Sequence, residues 1–293
     1  MLKLHAFALA SVTLALSAPA AATPFVFSTG TPDGRIGTAS RPASAGKIEI
    51  ETGDDFRIFG PTGLTNITGA TFTGLLTGTT PTVSDVRVEI YRIFPLDSDV
   101  GRTLGPPTFG TSQVPTRVNS PSDNALDDRD SAGGGLAFST TDVGSFTVAN
   151  SVVNGINPTP LNITGGEGPV TGDEVTFNVS FSSPFTLPVG HYFFIPQVEV
   201  DNGEFLWLSA PKPIVPPGTP FLPDLQSWIR NENLAPDWLR IGTDIVGSPG
   251  AGLPAPTFNA SFSLVGTVPE PATLALAGMA LAGMALGRRR PRR

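Results

Sequence analysis

The sequence predicts an all-β domain, an antiparallel β-sandwich of which a jelly roll is one version, followed by a single C-terminal transmembrane helix. Apolar and polar residues alternate in four segments, 47–51, 85–93, 174–181 and 257–264. A period of two is typical of strands with one buried face. The 33 Gly and 30 Pro residues supply turn signals between such runs. Because no repeated helical pattern separates the strands, packed sheets are favoured over an α/β fold.

The N-terminus has the three parts of a Sec signal peptide. Lys3 gives a basic start, residues 4–17 form an apolar run, and residues 18–22 are small. This order predicts recognition by the Sec export machinery and cleavage after Ala22, with Ala20 at the −3 position, although cleavage after Ala20 also fits. The predicted divisions are a signal peptide at 1–22, an extracytoplasmic domain at 23–267 and a C-terminal segment at 268–293.

The C-terminal segment predicts a membrane anchor. Residues 272–287 carry no charge, and five of the six residues that follow are arginine. As a helix, this apolar run would be roughly 24 Å long, somewhat short for a hydrocarbon core of about 30 Å. Arginines flanking a span prefer the cytoplasmic side. The inner membrane would therefore hold the chain with its body in the periplasm, which agrees with the signal peptide.

The same segment resembles a PEP-CTERM sorting signal. The resemblance rests on Pro269, Glu270 and Pro271, on the Ala/Leu-rich apolar run, and on the cluster that begins with Arg288, Arg289 and Arg290. It implies a Gram-negative bacterium that makes exopolysaccharide. It also implies cleavage near the motif by exosortase, a membrane enzyme that would pass the body to the cell surface or the medium. Segments 190–199, 205–214 and 237–244 resemble the bodies of other PEP-CTERM proteins of uncharacterised function, and this resemblance implies no activity.

Turn residues within the body predict several local features. The Asp-Asn-Gly sequence at 201–203 predicts a hairpin between strands at 191–200 and 204–209. Residues 224–231 predict a helical turn that Asp224 would cap. Residues 101–135 and 214–223, which are rich in proline or glycine, predict long connectors.

Charge and composition exclude several classes of function. The chain has no cysteine, which removes disulfides, thiolate metal sites and cysteine nucleophiles. Of its 18 Lys and Arg residues, one lies in the signal peptide and five lie at the C-terminal end, which leaves 12 in residues 23–267 against 24 Asp and Glu. A domain with this net charge of −12 is not expected to bind nucleic acid.

The candidate catalytic groups do not form a recognisable motif. His191 is the only histidine outside the signal peptide, and no G-x-S-x-G elbow accompanies it. We therefore predict no enzymatic activity and no catalytic residue. A two-carboxylate glycoside hydrolase remains an alternative, with Glu174, Glu199 and Glu204 on predicted strands or at a turn.

The sequence also contains candidate residues for two kinds of binding site. Acidic loops could supply oxygen ligands for calcium, although no EF-hand loop is present, and the candidate ligands are Asp97, Asp99, Asp123, Asp127, Asp128 and Asp130. Aromatic rings could stack on sugars, although apolar neighbours favour a core position for them, and the candidates are Trp207, Trp228 and Trp238. The leading expectation is a non-catalytic surface or matrix protein linked to exopolysaccharide or biofilm, and a carbohydrate- or calcium-binding module is the alternative.

Overall fold

Two long strands organise the fold, because each of them bends and pairs in two regions of one sheet. They are β4, Leu64–Arg92, and β9, Gly190–Ala210. The structure is a computed structural model, and it describes residues 22–60, 63–99, 118–156, 163–211 and 225–269. By its contacts, the chain from Pro24 to Val268 forms one compact unit. The predicted signal peptide and the predicted helix at 272–287 lie outside the described residues.

The remaining described strands are mostly short. They are β1 Thr23–Ser28, β2 Gly37–Ala39, β3 Ile50–Ile58, β5 Asp127–Asp130, β6 Leu136–Val148, β7 Ser151–Val152, β8 Val170–Pro188, β10 Trp228–Asn231, β11 Leu239–Arg240, β12 Asn259–Ala260 and β13 Phe262–Val268. A π-helical turn spans Ile241–Val246.

All of these strands join into one curled sheet of 13 strands. Its main path runs β1-β13-β4-β9-β3-β10-β11, while β8, β6 and β5 extend it from β4. The strand pairings within the described residues are antiparallel except for that of β2 with β7, which is parallel. The prediction of an all-β fold is confirmed, but the prediction of two sheets packed as a sandwich is not. Within the described ranges, no helix has the length and apolar character needed to cross a membrane.

The Asp-Asn-Gly sequence does not form a hairpin, and that prediction is wrong. β9 runs through it while staying paired with β4, from Val200 opposite Val83 to Gly203 opposite Gly78. Here β4 has extra residues, a bulge that bends both strands. The positive φ angle of 58° at Asn202 belongs to this bend. A bulge also changes which alternate residues face the core.

Phenylalanine side chains fill the largest core cluster inside the curl. Phe72 of β4 stacks on Phe177 of β8 with ring centroids 4.9 Å apart, and Phe194 of β9 stacks on Phe262 of β13 at 5.0 Å. All four rings are buried. Burying each one contributes about 2–3 kcal/mol, so this cluster holds distant segments of the curled sheet together.

The four alternating segments overlap five of the described strands, namely β3, β4, β8, β12 and β13. Segment 174–181 lies wholly within β8, and segment 85–93 lies in β4 up to Arg92. Segment 47–51 contributes only its last two residues to β3. The prediction of a helical turn at 224–231 is wrong for its described residues, because Trp228–Asn231 forms strand β10. Asp224, the predicted cap, lies outside the described residues. Within the predicted connector at 101–135, residues 127–130 form β5.

Candidate functional site

A buried cluster of charged and polar side chains lies on the face of the sheet opposite the phenylalanine core. Arg87, Glu89 and Tyr91 share this face of β4, because alternate strand residues point the same way. Glu51 on β3 pairs in register with Arg230 on β10. Four of these side chains are buried, and Arg87 lies at the edge with 34% of its side chain exposed. A charge cluster of this kind requires nearly complete internal pairing.

Arg230 satisfies its guanidinium group almost entirely inside the protein. Its Nε and Nη2 atoms donate to the two carboxylate oxygens of Glu51, the latter at 2.9 Å. Nη2 also donates to the Tyr91 hydroxyl at 2.8 Å. Nη1 donates to the backbone carbonyls of Asp123 at 3.0 Å and Pro236 at 3.3 Å. Arg230 thereby fastens two covering loops to the sheet.

Tyr91 joins the two carboxyl groups of the cluster. Its hydroxyl donates to Glu51 Oε1 at 2.7 Å and lies 3.2 Å from Glu89 Oε2. Burial, reinforced by the negative charge of Glu51, raises the pKa of Glu89 to about 8. Burial alone would also raise the pKa of Glu51, but the charge and hydrogen bonds of Arg230 outweigh it and hold that pKa below its ordinary value. At neutral pH, Glu89 therefore keeps its proton while Glu51 is ionised.

Glu89 and Glu51 have the protonation states of a general acid and a general base, but the protein encloses both side chains. A protonated carboxyl beside an ionised one is the combination that glycoside hydrolases use. However, Glu51 is only 4% exposed and Glu89 only 8%. Both oxygens of Glu51 are already engaged by Arg230. What the arrangement provides is a buried connection between three strands and their covering loops.

His191 forms a second polar pair on the same face. Its Nε2 lies 2.5 Å from Asp55 Oδ2, and Asp55 Oδ1 accepts the backbone N–H of Leu225 at 3.2 Å. The pairing of β3 with β9 places these side chains diagonally on neighbouring strands. Asp55 is buried and the His191 side chain is 13% exposed. The predicted strand position of His191 is confirmed.

The first three calcium candidates meet in the loops beyond the end of β4. The Asp97 carboxylate pairs with Arg92, and the backbone N–H of Asp99 donates to Asp123 Oδ2 at 3.0 Å. Arg92 therefore already neutralises the Asp97 carboxylate, which is one of the negative charges that a bound cation would need.

The other three candidates all lie on β5. Asp127 pairs with Arg129, and Asp130 Oδ1 accepts the backbone N–H of Gly133. Asp128 stands opposite Glu89 in the strand register. Among the residues that the structure describes, no three His, Asp or Glu side chains are placed to hold a metal ion. Calcium binding thus gains no geometric support.

The three tryptophans lie in the interior and not on the surface. Their exposed fractions are 1% for Trp207, 2% for Trp228 and 1% for Trp238. Trp207 Nε1 donates to the Ser261 carbonyl at 2.9 Å, and Trp238 Nε1 donates to the Ser122 carbonyl at 3.0 Å. The interpretation of these rings as exposed platforms for sugar stacking is therefore not supported.

The glutamates considered for a glycosidase lie on two strands, β8 and β9. Glu204 pairs with Arg41 at 2.8 Å and with Lys47 at 3.1 Å. Glu174 lies on β8, and Glu199 lies on β9 opposite Asp85 of β4. Sequence reasoning missed the Glu51–Arg230 cluster, because alternation on a strand does not show whether loops cover its polar face.

The comparisons with known proteins identify the C-terminal segment. Residues 267–293 match the family model described as the PEP-CTERM protein-sorting motif. Neither a search of curated proteins nor a search of solved structures found a match. Pro269 is the last described residue of this segment, whereas Glu270, Pro271, Arg288, Arg289 and Arg290 lie outside the described residues. The chain therefore carries a PEP-CTERM sorting motif at its C-terminal end, and this motif implies export and membrane anchoring before cleavage by exosortase.

Proposed function

We propose that this chain is a non-catalytic surface or matrix protein, delivered by exosortase and associated with exopolysaccharide outside the cell. The observation that carries the proposal is the sorting motif at residues 267–293. The acidic body of the chain, with no cysteine and one histidine outside the signal peptide, agrees with this role.

The position of the motif suits the release of an intact domain. The last described strand, β13, ends at Val268, and the compact unit ends at the same residue. The motif begins at Thr267 and includes Pro269. Cleavage at or after the Pro-Glu-Pro sequence would therefore remove no residue of β13, and the released body would keep its complete core.

The arrangement of charged side chains favours a non-catalytic role. The acid–base pair of Glu51 and Glu89 is enclosed, and Arg230 engages Glu51. Only 13% of the His191 side chain is exposed. A hydrolase needs such groups within reach of a substrate, and these groups stabilise the sheet instead.

Cell fractionation tests the sorting step. We would compare the wild-type chain with a variant in which Pro269, Glu270 and Pro271 are changed to alanine, in cells with and without exosortase. The expected result is that wild-type protein leaves the membrane only when exosortase is present, and that the variant stays in the membrane fraction. Release of the variant as efficiently as the wild type would contradict the proposal.

The link to exopolysaccharide requires a separate comparison. The released protein should remain with the cell surface or matrix in cells that make exopolysaccharide, and it should appear free in the medium when the polymer is absent. An unchanged distribution would overturn this part of the proposal while leaving exosortase sorting intact. The two parts can thus fail independently.

A further inference from the structure

The chain leaves the β domain beside the first residues of β4. β13 runs antiparallel to β4, and Thr267, the second-last residue of β13, pairs with Asn66. Asn66 is two residues from Leu64, where β4 begins, which is about 7 Å along the strand. The sorting motif starts at the same point. Whatever follows β13 is therefore attached at this end of the sheet.

Three large apolar side chains are exposed at this end, and we call them the apolar rim. They are Phe59 (47% exposed), Leu64 (48%) and Val189 (40%). Ile58 pairs with Gly190, and Phe59 is the next residue beyond that pair. Leu64 pairs with Pro188. Val189 connects these two partners and therefore lies next to both Phe59 and Leu64. Exposed apolar side chains that gather in one place indicate an interaction surface.

A basic side chain without a carboxylate partner lies at the rim. The guanidinium carbon of Arg57 is 4.7 Å from the centroid of the Phe59 ring. Within the described part of the chain, Arg57 forms no ion pair, and the nearby Asp55 carboxylate pairs with His191 instead. The body as a whole carries a net charge of −12 and would be repelled by an anionic surface. The positive charge of Arg57 makes the rim better suited than the rest of the body to a surface of lipid phosphates.

The C-terminal segment brings a bilayer within reach of the rim. Residues 272–287 carry no charge and would enter the membrane before cleavage, and only residues 269–271 separate them from β13. An extended chain spans at most about 3.6 Å per residue, so this apolar run begins no more than about 15 Å from the end of β13. The exposed side chains of the rim thus have an apolar medium close by in which they can be buried.

We propose that, before cleavage, the β domain rests on the periplasmic surface of the inner membrane through the apolar rim, with Phe59, Leu64 and Val189 in the lipid headgroup region. The partner is the bilayer and not a second copy, because the anchor holds this end of every chain near lipid. Docking would also keep the Pro-Glu-Pro sequence at the membrane surface, where a membrane enzyme can reach it. The inference goes beyond the proposed function, and it rests on that function only for the anchored state before sorting.

Lipid quenching of a fluorescent probe at position 189 tests the docking. The chain has no cysteine, so Val189→Cys can be labelled at a single site. The full chain without its signal peptide would be reconstituted into vesicles of phosphatidylethanolamine and phosphatidylglycerol that contain lipids with nitroxide-labelled headgroups. Because a nitroxide quenches only nearby fluorophores, strong quenching reports contact between the rim and the bilayer.

Val143→Cys, labelled in the same way, is the matched control. Val143 is also an exposed valine, with 58% of its surface accessible. It lies on β6 where that strand pairs with residues 174–175 of β8, about 40 Å along β8 from Pro188. Quenching at position 189 should be several-fold stronger than at position 143. Equal quenching at the two positions would overturn the proposal.

A second variant distinguishes docking from attachment by the anchor alone. Phe59→Ser combined with Leu64→Ser keeps the anchor and removes two side chains of the rim. Both positions are about half exposed, so the fold should persist, which circular dichroism checks. Quenching at position 189 should then fall towards that at position 143, and quenching that the two substitutions leave unchanged would overturn the proposal.

These outcomes are separate from those that test the proposed function. The vesicles contain neither exosortase nor polysaccharide, so a failure of docking would leave sorting and matrix association untouched. Conversely, a chain that exosortase fails to release in cells would still show whether its rim contacts lipid in vesicles.

Discussion

Arg230 and Glu51 form a two-point ion pair within the protein, with 7% and 5% of their side chains exposed. The two residues face each other on the neighbouring strands β10 and β3. The same guanidinium reaches the backbone of Asp123 and Pro236. One arginine therefore connects the sheet to both covering loops, and its charge is balanced by a carboxylate whose pKa it holds low.

Breaking this pair from one side should be strongly destabilising. Glu51→Gln or Arg230→Met leaves the partner charge buried and unbalanced, and each should lower the free energy of unfolding by about 3–5 kcal/mol. Urea unfolding followed by circular dichroism measures this loss. Arg92→Met is the control, because Arg92 pairs with Asp97 with 36% of its side chain exposed, and it should cost less than about 1 kcal/mol. Similar losses in all three variants would contradict the assigned role of the buried pair.

Glu89 should make stability fall as pH rises. Its pKa is raised in the folded protein from an ordinary value of 4.5 to about 8. The folded state therefore holds a proton that the unfolded state has released, and the stabilisation present below pH 4.5 is lost as pH rises towards about 8. The slope from this one group can reach about 1.4 kcal/mol per pH unit.

Glu89→Gln imitates the protonated side chain and should remove this pH dependence. The variant should gain stability over the wild type as pH rises through the same window, and unfolding curves collected across that range would show it. Glu199→Gln, at a partly exposed position on β9, should leave the wild-type slope unchanged. A stability difference between Glu89→Gln and the wild type that stays constant with pH would refute the assigned protonation state.

The bend shared by β4 and β9 should depend on glycine. A Cβ atom at Gly203 would lie 1.9 Å from the Thr77 carbonyl oxygen. Gly203→Ala should therefore cost about 2 kcal/mol or more, because backbone atoms must move. Gly250→Ala is the matched control, since its Cβ would meet only Leu253 Cδ1, at 4.0 Å. Equal unfolding free energies for the two variants would show that the close approach at the bend is not rigid.

Local sequence patterns predicted the strands better than their connections. The alternation at 174–181 placed β8 correctly, because that strand has one buried and one more exposed face. The Asp-Asn-Gly sequence at 201–203 supplies a positive φ angle, which suits both a hairpin and a bulge. Only the pairing partner distinguishes the two, and that partner, β4, lies more than a hundred residues earlier in the chain.

The buried cluster required long-range information. Glu51, Tyr91 and Arg230 come from three distant segments, and none of them belongs to a motif. An acidic residue on an alternating strand is ordinarily exposed, so the loops that cover Glu51 and Glu89 left no signal in the alternation. The C-terminal sorting signal was predicted because its parts are contiguous, and the family match at 267–293 confirms it.

Mass spectrometry of both chain ends tests the central claim most directly. Protein would be recovered from the membrane and the extracellular matrix of cells that contain exosortase. Sorting by the C-terminal motif predicts extracellular chains that begin near Thr23 and end near Pro269. Chains that remain in the inner membrane and still carry Arg288, Arg289 and Arg290 would contradict exosortase processing and would make the protein a permanently anchored one.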